Sequence, residues 1–154
     1  MKRIAVLTLI AALLLGLAAC GQAEPEAKSA DLQALYASYE STLPAMLVLD
    51  ETMMLNFLGI QAGDCTQVVA AICADGLRAD EVWLIEAKDQ AAFDKLSALV
   101  DTRLAAKLEE TESYNPEQYA VCEKAVILNE GLYLAFLVSP DADTLKASFE
   151  AAFN

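Results

Sequence analysis

Apolar and polar positions alternate along this chain in two distinct rhythms. From Asp31 onward, Leu32, Leu35, Tyr36, Tyr39 and Leu43 recur at helical spacing until Pro44 stops the pattern, which predicts a first amphipathic helix. Ala45 to Leu49 is a short apolar run, and Asp50-Glu51 opens a short helix through Met54 and Leu58, closed by Gly59. Residues 65–74, CTQVVAAICA, and 81–87, EVWLIEA, are β-rich runs around the turn signal Asp75-Gly76, which suggests a hairpin. The first run also suits a buried helix, because it is ten residues long and holds three alanines.

Beyond Asp89, a plausible N-cap, Phe93, Leu96, Val100, Leu104 and Leu108 mark the longest helix, which ends in Glu109, Glu110 and Glu112 before Asn115-Pro116. Two further strands are predicted at 121–128 and 132–138, joined by a three-residue link, Asn129-Glu130-Gly131. The second is apolar on both faces, which places it centrally. Ser139-Pro140-Asp141 reads as a cap, a first helical proline and a first-turn acid for a terminal helix buried through Leu145, Phe149 and Phe153. The expected fold is α+β: an antiparallel sheet of about four strands, with the two longer helices on one face. After the N-terminal helices the order is ββα-ββα, which fits either a duplicated unit or convergent layout.

The start of the chain follows neither rhythm. Met1-Lys2-Arg3 is basic, and residues 4–19 carry no charge, the arrangement of a secretory signal. Those 16 residues would span only about 24 Å as a helix, against a hydrocarbon core of roughly 30 Å. Leu17-Ala18-Ala19-Cys20 resembles the lipobox of bacterial lipoproteins. That resemblance implies a signal peptide over 1–19, cleavage between Ala19 and Cys20, and a diacylglyceryl thioether (with its palmitate-type acyl chains) on Cys20 Sγ. The membrane would then be a partner through lipid on Cys20, at the extracytoplasmic face of the cell membrane. Residues 20–29 are expected to be the lipidated N-terminus and a tether, since GQAEPEAKS has no large apolar residue to bury. Residues 30–154 then form one globular domain.

Charge sharpens that expectation. The 154 residues carry 10 bases and 23 acids, a formal net charge of -13, and losing Lys2 and Arg3 with residues 1–19 would take it to -15. Nucleic acid is not an expected partner, because binding it needs clustered cations. There is no histidine, so histidine-dependent triads and histidine-ligated zinc or haem are excluded.

The succession Leu49-Asp50, Phe57-Leu58-Gly59-Ile60, Asp80-Glu81-Val82-Trp83-Leu84-Ile85 with Ala87-Lys88-Asp89, Tyr114-Asn115-Pro116-Glu117, Gly131-Leu132-Tyr133 and Val138-Ser139-Pro140-Asp141 resembles the bacterial lipoproteins grouped as domain of unknown function 4358. The resemblance covers roughly residues 45–153. It implies no activity, cofactor or catalytic residue.

Candidate chemistry is sparse. With Cys20 acylated, Cys65, Cys73 and Cys122 remain, an odd number. Cys73 with Cys122 is the preferred disulfide, both falling in predicted strands of one sheet; the favoured reading is that all three are small buried hydrophobes. Cys-x₇-Cys with one distant cysteine does not suit zinc. Asp141-Ala142-Asp143 is better read as helix capping than as a calcium loop, since Lys146 stands at the sixth position. No Ser-x-x-Lys and no glycine-rich phosphate loop occur, and no carboxylate pair stands out, so no catalytic residue, metal or cofactor is expected. Tyr114 and Tyr119 flank Asn115-Pro116 and read either as a recognition loop or as pins holding that loop to the domain. Trp83 is expected in the core. The leading functional expectation is a non-catalytic interaction or ligand-binding module. The alternatives are an acidic inhibitor or chaperone of a basic cell-envelope enzyme and, behind it, a small hydrolase.

Overall fold

A computed structural model describes residues 29–154. The segments expected to form a signal peptide and a lipobox, and nearly all of the expected tether, lie outside them. The described chain runs α1 (Leu32–Tyr39), β1 (Met46–Val48), α2 (Glu51–Met53, widening into a π turn over Met54–Leu58), β2 (Cys65–Cys73), β3 (Glu81–Ala87), α3 (Gln90–Glu112), α4 (Pro116–Cys122), β4 (Val126–Glu130), β5 (Tyr133–Val138) and α5 (Ala142–Ala151). The strands form one antiparallel sheet in the order β1-β2-β3-β5-β4. The class is α+β, with five strands where about four were expected, because Ala45 to Leu49 contributes a short edge strand.

The period-two alternation of β3 and β5 explains the layering, since successive side chains leave opposite faces of a strand. Val82, Leu84, Tyr133, Ala135 and Leu137 meet α1 and α5 on one face. Trp83, Ile85, Leu134, Phe136 and Val138 meet α2, α3 and α4 on the other. β5 is therefore apolar on both faces, as expected, and β3 is apolar from Val82 to Ile85, between Glu81 and Glu86. The longer helices α3 and α5 lie on opposite faces, which corrects the expectation of one face. An axis normal to the sheet that exchanged β3 with β5 would keep their helices on the same side, so the two ββα units are not related by that symmetry.

Residues 65–73 form a strand, because Ala70 faces Trp83 in register. Ala70 and Trp83 are both fully buried, and Trp83 meets Phe136 edge-on at 5.5 Å. A small side chain opposite the indole leaves it room, and aromatic pairs favour that geometry. The expected strand at 121–128 starts only at Val126: Val121 and Cys122 belong to α4, a helix not foreseen. Asn115 caps it, accepting from Gln118 N, with Pro116 in its first turn. The β4–β5 link is the two residues Gly131-Leu132, with Gly131 at φ +57°. Ser139 lies ahead of α5 proper, its Oγ accepting from Asp141 N at 3.1 Å.

Gly59 closes α2 at φ +74°, donating to Leu55 O, as its position after Leu58 predicted. At the other end of the domain the chain enters through a clamp. Ala30 N donates to the Tyr133 hydroxyl, Gln67 Nε2 donates to Ala30 O and to Glu86 Oε2, and Gln67 Oε1 accepts from Leu32 N. No helix among the described residues is long and apolar enough to cross a membrane.

Candidate functional site

The first residue of β3 is a glutamate on the face that Trp83 and Ile85 bury against α3. Glu81 is fully buried, a position that costs several kcal/mol unless the charge is compensated. Compensation comes from α3: Arg103 donates through Nε and Nη2 at 2.7–3.1 Å, and Lys107 Nζ stands 2.8 Å from Oε2. Trp83 Nε1 donates to Oε1 at 2.7 Å. Burial pushes the Glu81 carboxyl upward, but the Arg103 hydrogen bonds and the charges of Lys107 and Arg103 outweigh it, holding the group below its ordinary range. The same partnership raises Arg103. With both oxygens engaged, Glu81 is an anchor for α3 rather than a proton-transfer group.

Next to this anchor, the β2–β3 connection is stitched to the junction of α3 and α4. Lys107 Nζ also donates to Ala79 O at 2.8 Å, Gln118 Oε1 accepts from Ala79 N at 2.7 Å, and Asn115 Nδ2 donates to Leu77 O at 3.2 Å. Arg78 grips buried Asp80 through two nitrogens, at 2.9 and 3.2 Å. These elements enclose a hollow of about 210 Å³ lined by Arg78, Lys107, Glu110, Thr111, Tyr114 and Gln118, among others. Leu77 and Tyr114 border it, 80% and 90% exposed. Two exposed large side chains thus stand beside a concave surface on which several polar groups converge.

The structure separates the two candidate tyrosines. Tyr114 stands on the rim of the hollow, whereas Tyr119 sits within α4, half-buried, so it does not belong to a loop. The ground for pairing Cys73 with Cys122 falls away, because Cys122 ends α4 instead of lying in a strand. Cys65, Cys73 and Cys122 are free thiols. Cys73 Sγ faces Ala45 O at 3.7 Å. Burial raises the Cys122 thiol, the Thr111 hydrogen bond only partly offsetting it, and pushes Cys65 up to about 11. Among the described residues no group of three acidic or cysteine side chains is placed to hold a metal. Cys20 and its approach, Leu17, Ala18 and Ala19, lie outside the described residues.

Sequence reasoning missed Glu81, Arg103 and Lys107. A signal was there: the stripe Leu96, Val100 continues at helical spacing to Arg103 and Lys107, so cations fall where apolar residues belong.

A family model described as domain of unknown function (DUF4358) matches residues 38–139. No curated protein and no solved structure matches the chain.

Proposed function

Since the chain belongs to the domain of unknown function 4358 family, whose description assigns no activity, we propose that it is a lipid-anchored, extracytoplasmic, non-catalytic binding module. The carrying observation is Leu17-Ala18-Ala19-Cys20 at the end of an uncharged run behind a basic start. Two acyl chains on Cys20 would hold the protein stably, because each buried methylene contributes about 0.8 kcal/mol. The hollow beside Leu77 and Tyr114 is where the module would meet its ligand, and its exposed apolar rim supports that reading. Labelled palmitate should enter the intact chain and be lost in Cys20→Ala; label retained in that variant would sink the anchor.

A second reading, an acidic inhibitor or chaperone of a basic envelope enzyme, is favoured by charge alone, 23 acids against 10 bases.

A further inference from the structure

The sheet ends in two strands of unequal reach. β1 offers three residues just after Pro44, too few to hold an added strand well. β4 offers five, Val126–Glu130, and among the described residues has a single neighbour, β5. Glu130 and Tyr133 flank the two-residue turn opposite one another, so they make the closing hydrogen-bonded pair. Alternation then leaves Ile127 and Asn129 with N–H and C=O turned away from β5. The parity agrees with the other side of β5, where Ala87 N donates to Leu132 O at 2.9 Å. Neither outward residue is a lysine or proline of the kind that guards an edge, and Ile127 is 41% exposed. Alongside, on the α5 face, a hollow of about 250 Å³ is lined by Leu128, Phe149 and Phe153, with Glu130 and Glu150 at its sides.

We propose that this edge accepts an extended segment of another protein, one in which an apolar residue has lysine or arginine two positions to either side of it, as a sixth strand on the five-stranded sheet. The outward groups of Ile127 and Asn129 supply main-chain hydrogen bonds. Positions two apart share a face of a strand, so the hollow at Leu128 and Phe153 takes the central apolar side chain while Glu130 and Glu150, on the same α5 face, meet the basic ones. Charge selects this occupant over two others. A second copy would bring one acidic edge against another, on chains of net charge -13. The chain's own residues 21–29 bring Pro25 with Glu24 and Glu26, which suit neither pairing nor an acidic rim. The surface is lined by other residues than the Leu77–Tyr114 hollow, and it stands or falls independently of Cys20 acylation.

The test uses the full-length chain in detergent micelles and a fluorescent peptide whose central valine has lysine two positions to either side, with threonine between, followed by anisotropy. A matched peptide N-methylated at alternate backbone nitrogens keeps its charge but loses strand pairing. Binding should weaken about tenfold or more on N-methylation, and similarly for Ile127→Pro, which removes an outward N–H while sparing the β5 ladder. Should Ile127→Pro fail to fold, the N-methylated peptide still decides, since it leaves the protein untouched. Equal binding of both peptides, or no binding, overturns the proposal. So does concentration-dependent dimerisation abolished by Ile127→Pro, which makes a second copy the occupant, or an affinity gain on deleting residues 21–28, which makes that segment the occupant.

Discussion

At Glu81 a single carboxylate holds two cations of α3 to the sheet, and the arrangement leaves little slack. Glu81→Gln keeps the shape but strands Arg103 and Lys107 beside a neutral amide, with Lys107 itself buried. Loss of one partner from such a cluster costs about 3–5 kcal/mol, so denaturant titration should show a drop of that order. The pH dependence has a definite sign. Glu81 titrates lower in the folded chain than its ordinary value of 4.5, so the unfolded chain takes up the proton first. The stabilisation is complete above that ordinary value and drains away as pH falls through the lower folded one. Thermal melts between pH 7 and 3 should therefore show a shallower acid limb in Glu81→Gln. None of this was legible in the sequence, because a strand residue's partners come from a helix some twenty positions away, and only the charged interruption of the α3 stripe hinted at it. Trp83 was legible, since it falls inside the unbroken apolar run Val82 to Ile85.

Among the elements, α4 shows how local signals are lost when a neighbouring pattern is stronger. Asn115-Pro116-Glu117 carries a cap, a first-turn proline and a first-turn acid, yet the apolar run that follows reads as a strand beginning at Val121. The helix prevails because Asn115 serves twice, accepting from Gln118 N and donating to Leu77 O. Asn115→Ala should cost about 1–2 kcal/mol, within the usual range for a helix cap, and should also loosen the β2–β3 connection, measurable as faster amide exchange at Leu77 to Ala79. By contrast, α2 was legible down to its last residue, because Asp50 and Gly59 mark its ends in the chain itself; only its π widening was not. β1 was seen as an apolar run but not as a strand, since three residues become one only by pairing, here with Ala71 to Cys73.

For the whole molecule, the class was legible and the layering was not. Periodicity tells which side of a helix is buried, but nothing in the sequence says which face of the sheet receives it. The expected shared face for α3 and α5 failed for that reason. Charge also acts at this scale. If an acidic surface recruits a basic envelope enzyme, the association should weaken steeply between low and physiological salt, because exposed charges are screened beyond roughly 8–10 Å there. A salt-independent complex would remove the electrostatic reading while leaving the hollow and the β4 edge to be judged by their own variants.

The clamp at Ala30 gives the domain a mechanical polarity. Tension applied to the chain ahead of Ser29 meets Tyr133 and Gln67, which belong to β5 and β2 on either side of β3, before it can act on α1. Gln67 passes the load on to Glu86 of β3. A pull applied there therefore arrives at the three middle strands, of which β3 and β5 are buried almost throughout, and it is borne by the keel of the domain instead of peeling away its first helix.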